Sequence, residues 1–190
     1  MRQFVSLLAC GFVILFHSLV VLPQKPINHG GKIETKYDGF ALETVMRLRK
    51  MKVSCDGSKD NFKEACVSIE VALHCPGTQV SHVGSVSVQL VFETADWNHA
   101  HGPNQRELSL VVDAETFRLG KMRLLPSTSE WSEKMVETLE ATISYDLFKK
   151  MIASQSVEMQ VGPSTVALRD KNMLALRDLD NRVVVSTVTR

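Results

Sequence analysis

The stretch Leu139-Glu-Ala-Thr-Ile-Ser-Tyr145 decides the fold of this chain, because apolar and polar residues alternate along it one by one. The apolar positions are Leu139, Ala141, Ile143 and Tyr145, and polar residues lie between them. In an extended chain successive side chains point to opposite faces, so this pattern is typical of a strand with one buried face. We therefore predict a half-buried strand here, from which the neighbouring elements can be interpreted.

Two helices and a hairpin are predicted directly after this strand. A short amphipathic helix is predicted near 146–153, with Asp146 as its N-cap. Alternating apolar residues over 157–168, interrupted by Gly162-Pro163-Ser164, indicate a hairpin. The apolar spacing then lengthens to that of a helix near 170–182. The helical residues expected to be buried against the strands are Phe148, Ile152, Leu176 and Leu179.

The order of four short segments in this region resembles the C-terminal end of uncharacterised exported bacterial proteins. The segments are Ile143-Ser-Tyr-Asp-Leu-Phe, Val157-Glu-Met-Gln-Val-Gly, Val166-Ala-Leu and Leu176-Arg-Asp-Leu, within roughly the last quarter of the chain. The resemblance implies a bacterial envelope setting and a shared β-rich fold. It carries no catalytic or binding residue onto any position here.

Alternating segments upstream predict further strands. They lie at 44–54, 66–74, 85–92, 108–112 and 117–119. Within the first of them the alternation changes phase near Arg49-Lys50, which indicates a β-bulge. Many short strands with polar outer faces favour antiparallel sheets packed as a sandwich. The predicted fold is therefore mainly β, with β-sandwich-like antiparallel sheets over 37–190 and the two helices added to them.

The N-terminal segment predicts export. An apolar run at Phe4–Leu22, preceded by Arg2, is typical of a signal peptide or a membrane anchor. We therefore predict a signal peptide or anchor at 1–24, a flexible lead at 25–36, and a location in the periplasm, the cell envelope or the medium. No Ala-x-Ala site follows the run, so cleavage and retention both stay open. Contact with a membrane is expected only through this segment, if it is uncleaved.

The charge of the chain is nearly balanced, with 22 Lys and Arg against 21 Asp and Glu among 190 residues. Proteins that bind nucleic acid mainly use an excess of cationic side chains to neutralise phosphates. No nucleic-acid partner is therefore expected.

A cluster of metal-ligand residue types occurs in Asp96-Trp-Asn-His-Ala-His101. Two imidazoles at positions i and i+2 can point the same way on an extended segment, so Asp96, His99 and His101 could hold Zn or Cu. The competing interpretation is a polar loop with exposed histidines. In that case His99→Ala and His101→Ala should leave folding almost unchanged.

Trp97 and Trp131 fall in predicted loops and offer a second kind of site. Two loop tryptophans can form a platform for a sugar or a peptide. The alternative is that each ring covers the edge of a sheet core, where its apolar surface is removed from water.

No motif of an established catalytic chemistry accompanies these residues: the chain has no Gly-x-Ser-x-Gly, His-Glu-x-x-His or Cys-x-x-Cys. The leading hypothesis is a non-enzymatic binding or interaction module of the cell envelope, without a cofactor, whose partner is a protein or another cell-surface component. One alternative is a metal-dependent or small-ligand enzyme that uses the 96–101 loop. Another is a structural envelope protein held by an uncleaved anchor.

The cysteines allow at most one disulfide in the domain after Cys10. Cys66 and Cys75 lie on one predicted strand, about 30 Å apart at strand rise, so they cannot bond to each other. Cys55 and Cys66 flank a turn-rich connection between neighbouring strands. A Cys55–Cys66 bond is therefore predicted.

Overall fold

Residues 28–56, 65–94, 101–126 and 135–183 are described by the computed structural model of the protein. The strands are β1 (Ile33–Asp38), β2 (Glu43–Asp56), β3 (Ala65–Pro76), β4 (Ser85–Thr94), β5 (Glu107–Val112), β6 (Glu115–Lys121), β7 (Arg123–Leu125), β8 (Met135–Ile143), β9 (Val157–Val161) and β10 (Ser164–Ala167), and the helices are α1 (Tyr145–Ala153) and α2 (Asp170–Asn181). The fold is mainly β, and both helices begin and end within two residues of the predicted ranges.

The strands that the structure describes form two sheets, and every pairing between them is antiparallel. The larger sheet has the order β1-β2-β3-β4-β8-β7, and the smaller has the order β10-β9-β5-β6. The first four strands follow one another as a meander. The chain then alternates between the sheets, so that β8 lies beside β4 in the larger sheet and β9 lies beside β5 in the smaller one.

A single core joins the two sheets and both helices. Alternation along each strand turns one face inward, as the period-two pattern predicts. The largest fully buried side chains are Phe148, Met46, Leu48, Ile69, Leu73, Leu90, Leu110, Leu139, Met151, Met159, Leu176 and Leu179. Helix α2 contacts β2, and α1 contacts β4 and α2. The predicted burial of Phe148, Ile152, Leu176 and Leu179 is confirmed.

The predicted β-bulge in β2 is present. The β2–β3 register shifts between Leu48 and Met51, and again between Lys52 and Ser54. Because of the first shift, Leu48 and Met51 both point into the core although they are three positions apart, an offset that would place them on opposite faces of a regular strand. The buried Asn172 of α2 donates through its side-chain amide to the Lys52 carbonyl at 3.1 Å. The irregular part of β2 is thus where the closing helix is anchored.

Two sequence predictions differ from the structure in detail, and one strand was not predicted. Strand β1 begins inside the stretch predicted as a flexible lead, and His29 before it is already buried. The N-cap of α1 is Ser144, whose hydroxyl accepts the Leu147 N–H, and Asp146 lies in the first turn. Strand β7, which the sequence analysis did not predict, pairs with β8 in the larger sheet.

The cysteines are consistent with the predicted disulfide. Cys66 is disulfide-bonded, and the register places Cys55 directly opposite it. Cys75 is a buried free thiol, so the exclusion of a Cys66–Cys75 bond is confirmed. Burial, together with the charge of Glu43, raises the pKa of the Cys75 thiol. The identity of the Cys66 partner stays a prediction.

Candidate functional site

Most of the residues that the sequence nominated for a site lie outside the described part of the chain. Asp96, Trp97 and His99 fall in 95–100, and Trp131 falls in 127–134. The Zn or Cu site and the tryptophan platform therefore stay predictions. Within the described ranges, no three His, Cys, Asp or Glu residues are grouped as a metal site.

His101 is described, and the expectation of an exposed loop histidine is wrong for it. Its side chain is 3% exposed, and its ring lies 4.5 Å, centroid to centroid, from the ring of Phe92. Phe92 lies on the inward face of β4 and is paired in register with Glu137 of β8. The histidine is thus enclosed by an aromatic ring and a carboxylate from neighbouring strands.

The Glu137 carboxylate is the centre of this buried cluster. Glu137 Oε2 accepts the His101 backbone N–H at 3.0 Å, and the same oxygen is 2.8 Å from His101 Nδ1. Arg106 Nε lies 3.6 Å from Glu137 Oε1 and donates to the His101 carbonyl at 2.9 Å. A buried charge is costly unless it is paired and hydrogen-bonded, and these contacts satisfy Glu137. The loop after residue 100 is therefore folded around one carboxylate.

These contacts also fix the tautomer of His101. An ionised carboxylate only accepts hydrogen bonds, so the Nδ1 that faces Glu137 carries the proton. In the neutral ring Nε2 is then an acceptor, and the Ser164 hydroxyl, 3.0 Å away, donates to it. We call Glu137, His101, Arg106 and Ser164 the His101 network.

Ser164 is brought to His101 by the β9–β10 hairpin. Ser164 is the first residue of β10 and directly follows Gly162-Pro163, where Gly162 has a positive φ of 53°. A Cβ at Gly162 would lie only 2.5 Å from the Gln105 carbonyl oxygen, so glycine is required for this close approach. The turn consequently packs against the loop that holds His101, while Ser164 itself is half-buried.

Glu137 and Ser164 were missed by the sequence analysis. Glu137 shares the phase of Leu139 and Ile143, so the β8 alternation places a carboxylate on the core side of the sheet. A charged residue at a buried position must have partners, and that signal was available. The identity of those partners could not be read from the sequence. His101 is 36 residues from Glu137 in the chain and 63 residues from Ser164.

A second set of the same residue types lies on the outer face of the larger sheet. His74 Nδ1 is 2.8 Å from Glu43 Oε1, and His74 Nε2 is 2.8 Å from Ser87 Oγ. Here the side chains of His74 and Glu43 are 24% and 25% exposed. This cluster contains the same residue types as the His101 network but is partly exposed to solvent.

The end of β1 and its connection to β2 carry exposed apolar side chains. Tyr37, Phe40 and Leu42 are exposed, and Phe40 is completely so. The loop is nevertheless ordered by Asp38, whose carboxylate accepts the N–H groups of Phe40 and Ala41 at 2.9 and 3.2 Å. These hydrogen bonds lower the pKa of Asp38, and the bond from the Ala41 N–H has the larger effect. The apolar residues are therefore presented by a defined turn.

A cleft of about 600 Å³ lies beside this turn on the outer face of β1 and β2. Its lining includes Phe40, Lys36 and Arg47 together with acidic side chains. Arg47 pairs with Glu70, with 3.1 Å between nitrogen and oxygen. We call Tyr37, Phe40, Leu42, Lys36 and Arg47 the hairpin surface. It combines apolar anchors with charges of both signs.

A comparison with protein families, curated proteins and solved structures finds no match for this chain. Neither helix that the structure describes is long and apolar enough to cross a membrane.

Proposed function

We propose that this chain is an exported cell-envelope protein that binds a protein partner through the hairpin surface. The observation that carries the proposal is the complete exposure of Phe40 between two further exposed apolar residues, Tyr37 and Leu42. Grouped exposed apolar residues commonly mark interaction sites. Because Asp38 already orders the turn, a partner would bind it without a large cost in conformational entropy.

The composition of the hairpin surface favours a protein over other partners. Aromatic and arginine side chains are enriched among the residues that dominate protein–protein affinity. Both signs of charge line the cleft, and the chain as a whole is nearly neutral, which supplies no attraction for a polyanion. Phe40 would be the apolar anchor, and Lys36 and Arg47 would meet carboxylates at the rim.

Export is supported by two independent features. The apolar run Phe4–Leu22 after Arg2 has the composition of a signal or anchor. Cys66 is disulfide-bonded, and disulfides persist mainly in oxidising compartments such as the periplasm and the cell exterior. N-terminal sequencing of membrane and soluble fractions tests this part: full-length protein in the cytoplasm would contradict it, and a start at Met1 in the membrane would show an anchor.

The binding proposal is tested by photo-crosslinking in the native cell. A photoreactive amino acid replaces Phe40 in one variant and Leu124 in another, since Leu124 is also exposed but lies on β7 at the opposite edge of the same sheet. We expect one defined protein to be crosslinked from position 40 and not from position 124. Equal crosslinking from both positions, or none from position 40, would contradict the proposal.

Binding to the purified crosslinked partner then gives the strength of the contact. Phe40→Ser should weaken the Kd at least about tenfold, the usual effect of removing an anchor residue, while Leu124→Ser should not change it. Both variants should melt like the wild type, because neither side chain contributes to the core.

The metal-enzyme alternative has less support from the described residues. Both ring nitrogens of His101 already have partners in Glu137 and Ser164. A metal at His101 would have to displace one of them. Metal analysis of the purified protein tests this alternative directly.

A further inference from the structure

The His101 network has the connectivity of a nucleophile, a base and an orienting acid. Ser164 Oγ is 3.0 Å from His101 Nε2, and His101 Nδ1 is 2.8 Å from Glu137 Oε2. We infer that Ser164 is a nucleophile for acyl transfer from a carboxylic ester, with His101 as its general base and Glu137 as a positioning residue. This activity does not depend on the hairpin surface.

The environment distinguishes this cluster from the similar one on the sheet face. Glu137 and His101 are 7% and 3% exposed at their side chains, so little water competes with the bond between them. Glu137 also accepts the His101 backbone N–H, which holds the ring and the loop in one orientation. A base fixed in the correct tautomer is what a serine nucleophile requires. His74 and Glu43, by contrast, share their contact with solvent.

Ser164 is also placed where an acyl group can reach it. It is half-buried and follows the exposed turn residues Gly162 and Pro163. Strand β10 is at the edge of the smaller sheet, with Ser164 paired with Val161 and Thr165 with Gln160. Gly162 and Pro163 form a two-residue turn, so the Val161–Ser164 pair that closes it is the hydrogen-bonded one. Such pairs alternate along an antiparallel ladder, so the next residue, Thr165, turns its N–H toward the edge that carries no further described strand. The N–H after the nucleophile is a common donor to the developing oxyanion, and we assign Thr165 this part.

The reaction proceeds in two steps, acylation of Ser164 and hydrolysis of the acyl-serine. Ser164 Oγ bonds to the ester carbonyl carbon while its proton passes to His101 Nε2, and the alcohol leaves with that proton when the C–O bond breaks. A water molecule then attacks the acyl-serine and gives a proton to His101. The proton returns to Ser164 Oγ as the carboxylic acid is released.

Covalent labelling is the first test. The purified full-length protein is treated with a fluorophosphonate, and the modified residue is mapped by mass spectrometry. We expect modification at Ser164, its loss in Ser164→Ala, and no change in Ser87→Ala, the matched serine beside His74. Absence of labelling in the folded wild type, or labelling that persists in Ser164→Ala, would overturn the assignment.

Ester hydrolysis is the second test, with p-nitrophenyl butyrate as the substrate. Ser164→Ala should lower kcat at least about 100-fold, and Ser87→Ala should leave it unchanged. Glu137→Gln should lower kcat while KM stays the same, because orientation of the base matters only in the transition state. A Ser164→Ala variant as active as the wild type would show that the network only ties the loop to β8. If Glu137→Gln does not fold, labelling of the wild type still decides the question.

Discussion

His101 shows how a single residue can control stability from a loop. His101→Ala would remove the Nδ1 contact of the buried Glu137 but keep the contact from the backbone N–H, and a buried polar group that loses one partner typically costs about 1 to 3 kcal/mol. We therefore expect His101→Ala to lower the free energy of unfolding by about that amount in urea titrations. Exposed His82 supplies the control, since His82→Ala should be nearly neutral. Equal stability of the two variants would show that Glu137 finds other partners.

Asp178 gives stability a dependence on pH. Burial alone would raise its pKa, but hydrogen bonds from His29 and Arg182 outweigh burial and hold the pKa below the usual value. Such a carboxyl stabilises the fold above its unfolded pKa, and the contribution is lost as the pH falls through the folded pKa. Between about pH 5 and pH 2, the Tm of the wild type should therefore fall more steeply than that of Asp178→Asn. Glu158→Gln, at an exposed position of β9, should keep the wild-type slope; equal slopes for all three proteins would contradict the assignment.

Strands with one buried face and one exposed face were predictable from the sequence. Strand β1, which lacks that contrast, was not. β9 alternates strictly between buried and exposed residues, so its pattern is visible in the sequence. Strand β1 is half-buried at its start and exposed after it, because it is an edge strand held mainly by its ladder to β2. The same limit applies to the candidate site. Alternation placed Glu137 in the core, but only the folding of a loop and a distant hairpin brings His101 and Ser164 to it.

The closing helix α2 should contribute to stability through its buried stripe. Leu176 is completely buried, so Leu176→Ala removes apolar contacts and leaves a cavity, which typically costs about 2 to 5 kcal/mol. Lys171 lies on the exposed side of the same helix, and Lys171→Ala should change stability by less than about 0.5 kcal/mol. Thermal and urea unfolding measure the stability of both variants. A Leu176→Ala variant as stable as Lys171→Ala would mean that α2 is not part of the cooperative core.

At the scale of the whole molecule, the two proposed activities occupy different parts of one framework. The hairpin surface belongs to the β1 edge of the larger sheet, and the His101 network joins β8 of that sheet to β10 of the smaller one. Between β1 and β8 lie three strands, β2, β3 and β4. A substitution of exposed Phe40 should therefore leave ester hydrolysis unchanged, and Ser164→Ala should leave partner binding unchanged.

The disulfide at Cys66 should stabilise the whole molecule by restricting its unfolded chain. With Cys55 as the partner, the bond closes a short loop between β2 and β3, which is worth about 3 kcal/mol in the chain-entropy view. We therefore expect a reducing agent and Cys55→Ser to lower the free energy of unfolding by similar amounts, and the effects should not add. Cys75→Ser should leave the bond intact, because Cys75 is a free thiol. Non-reducing peptide mapping checks the pairing: a link from Cys66 to any other cysteine, or stability that does not respond to reduction, would contradict it. The same bond would need an oxidising compartment to form, so its presence in protein isolated from the native cell also tests export.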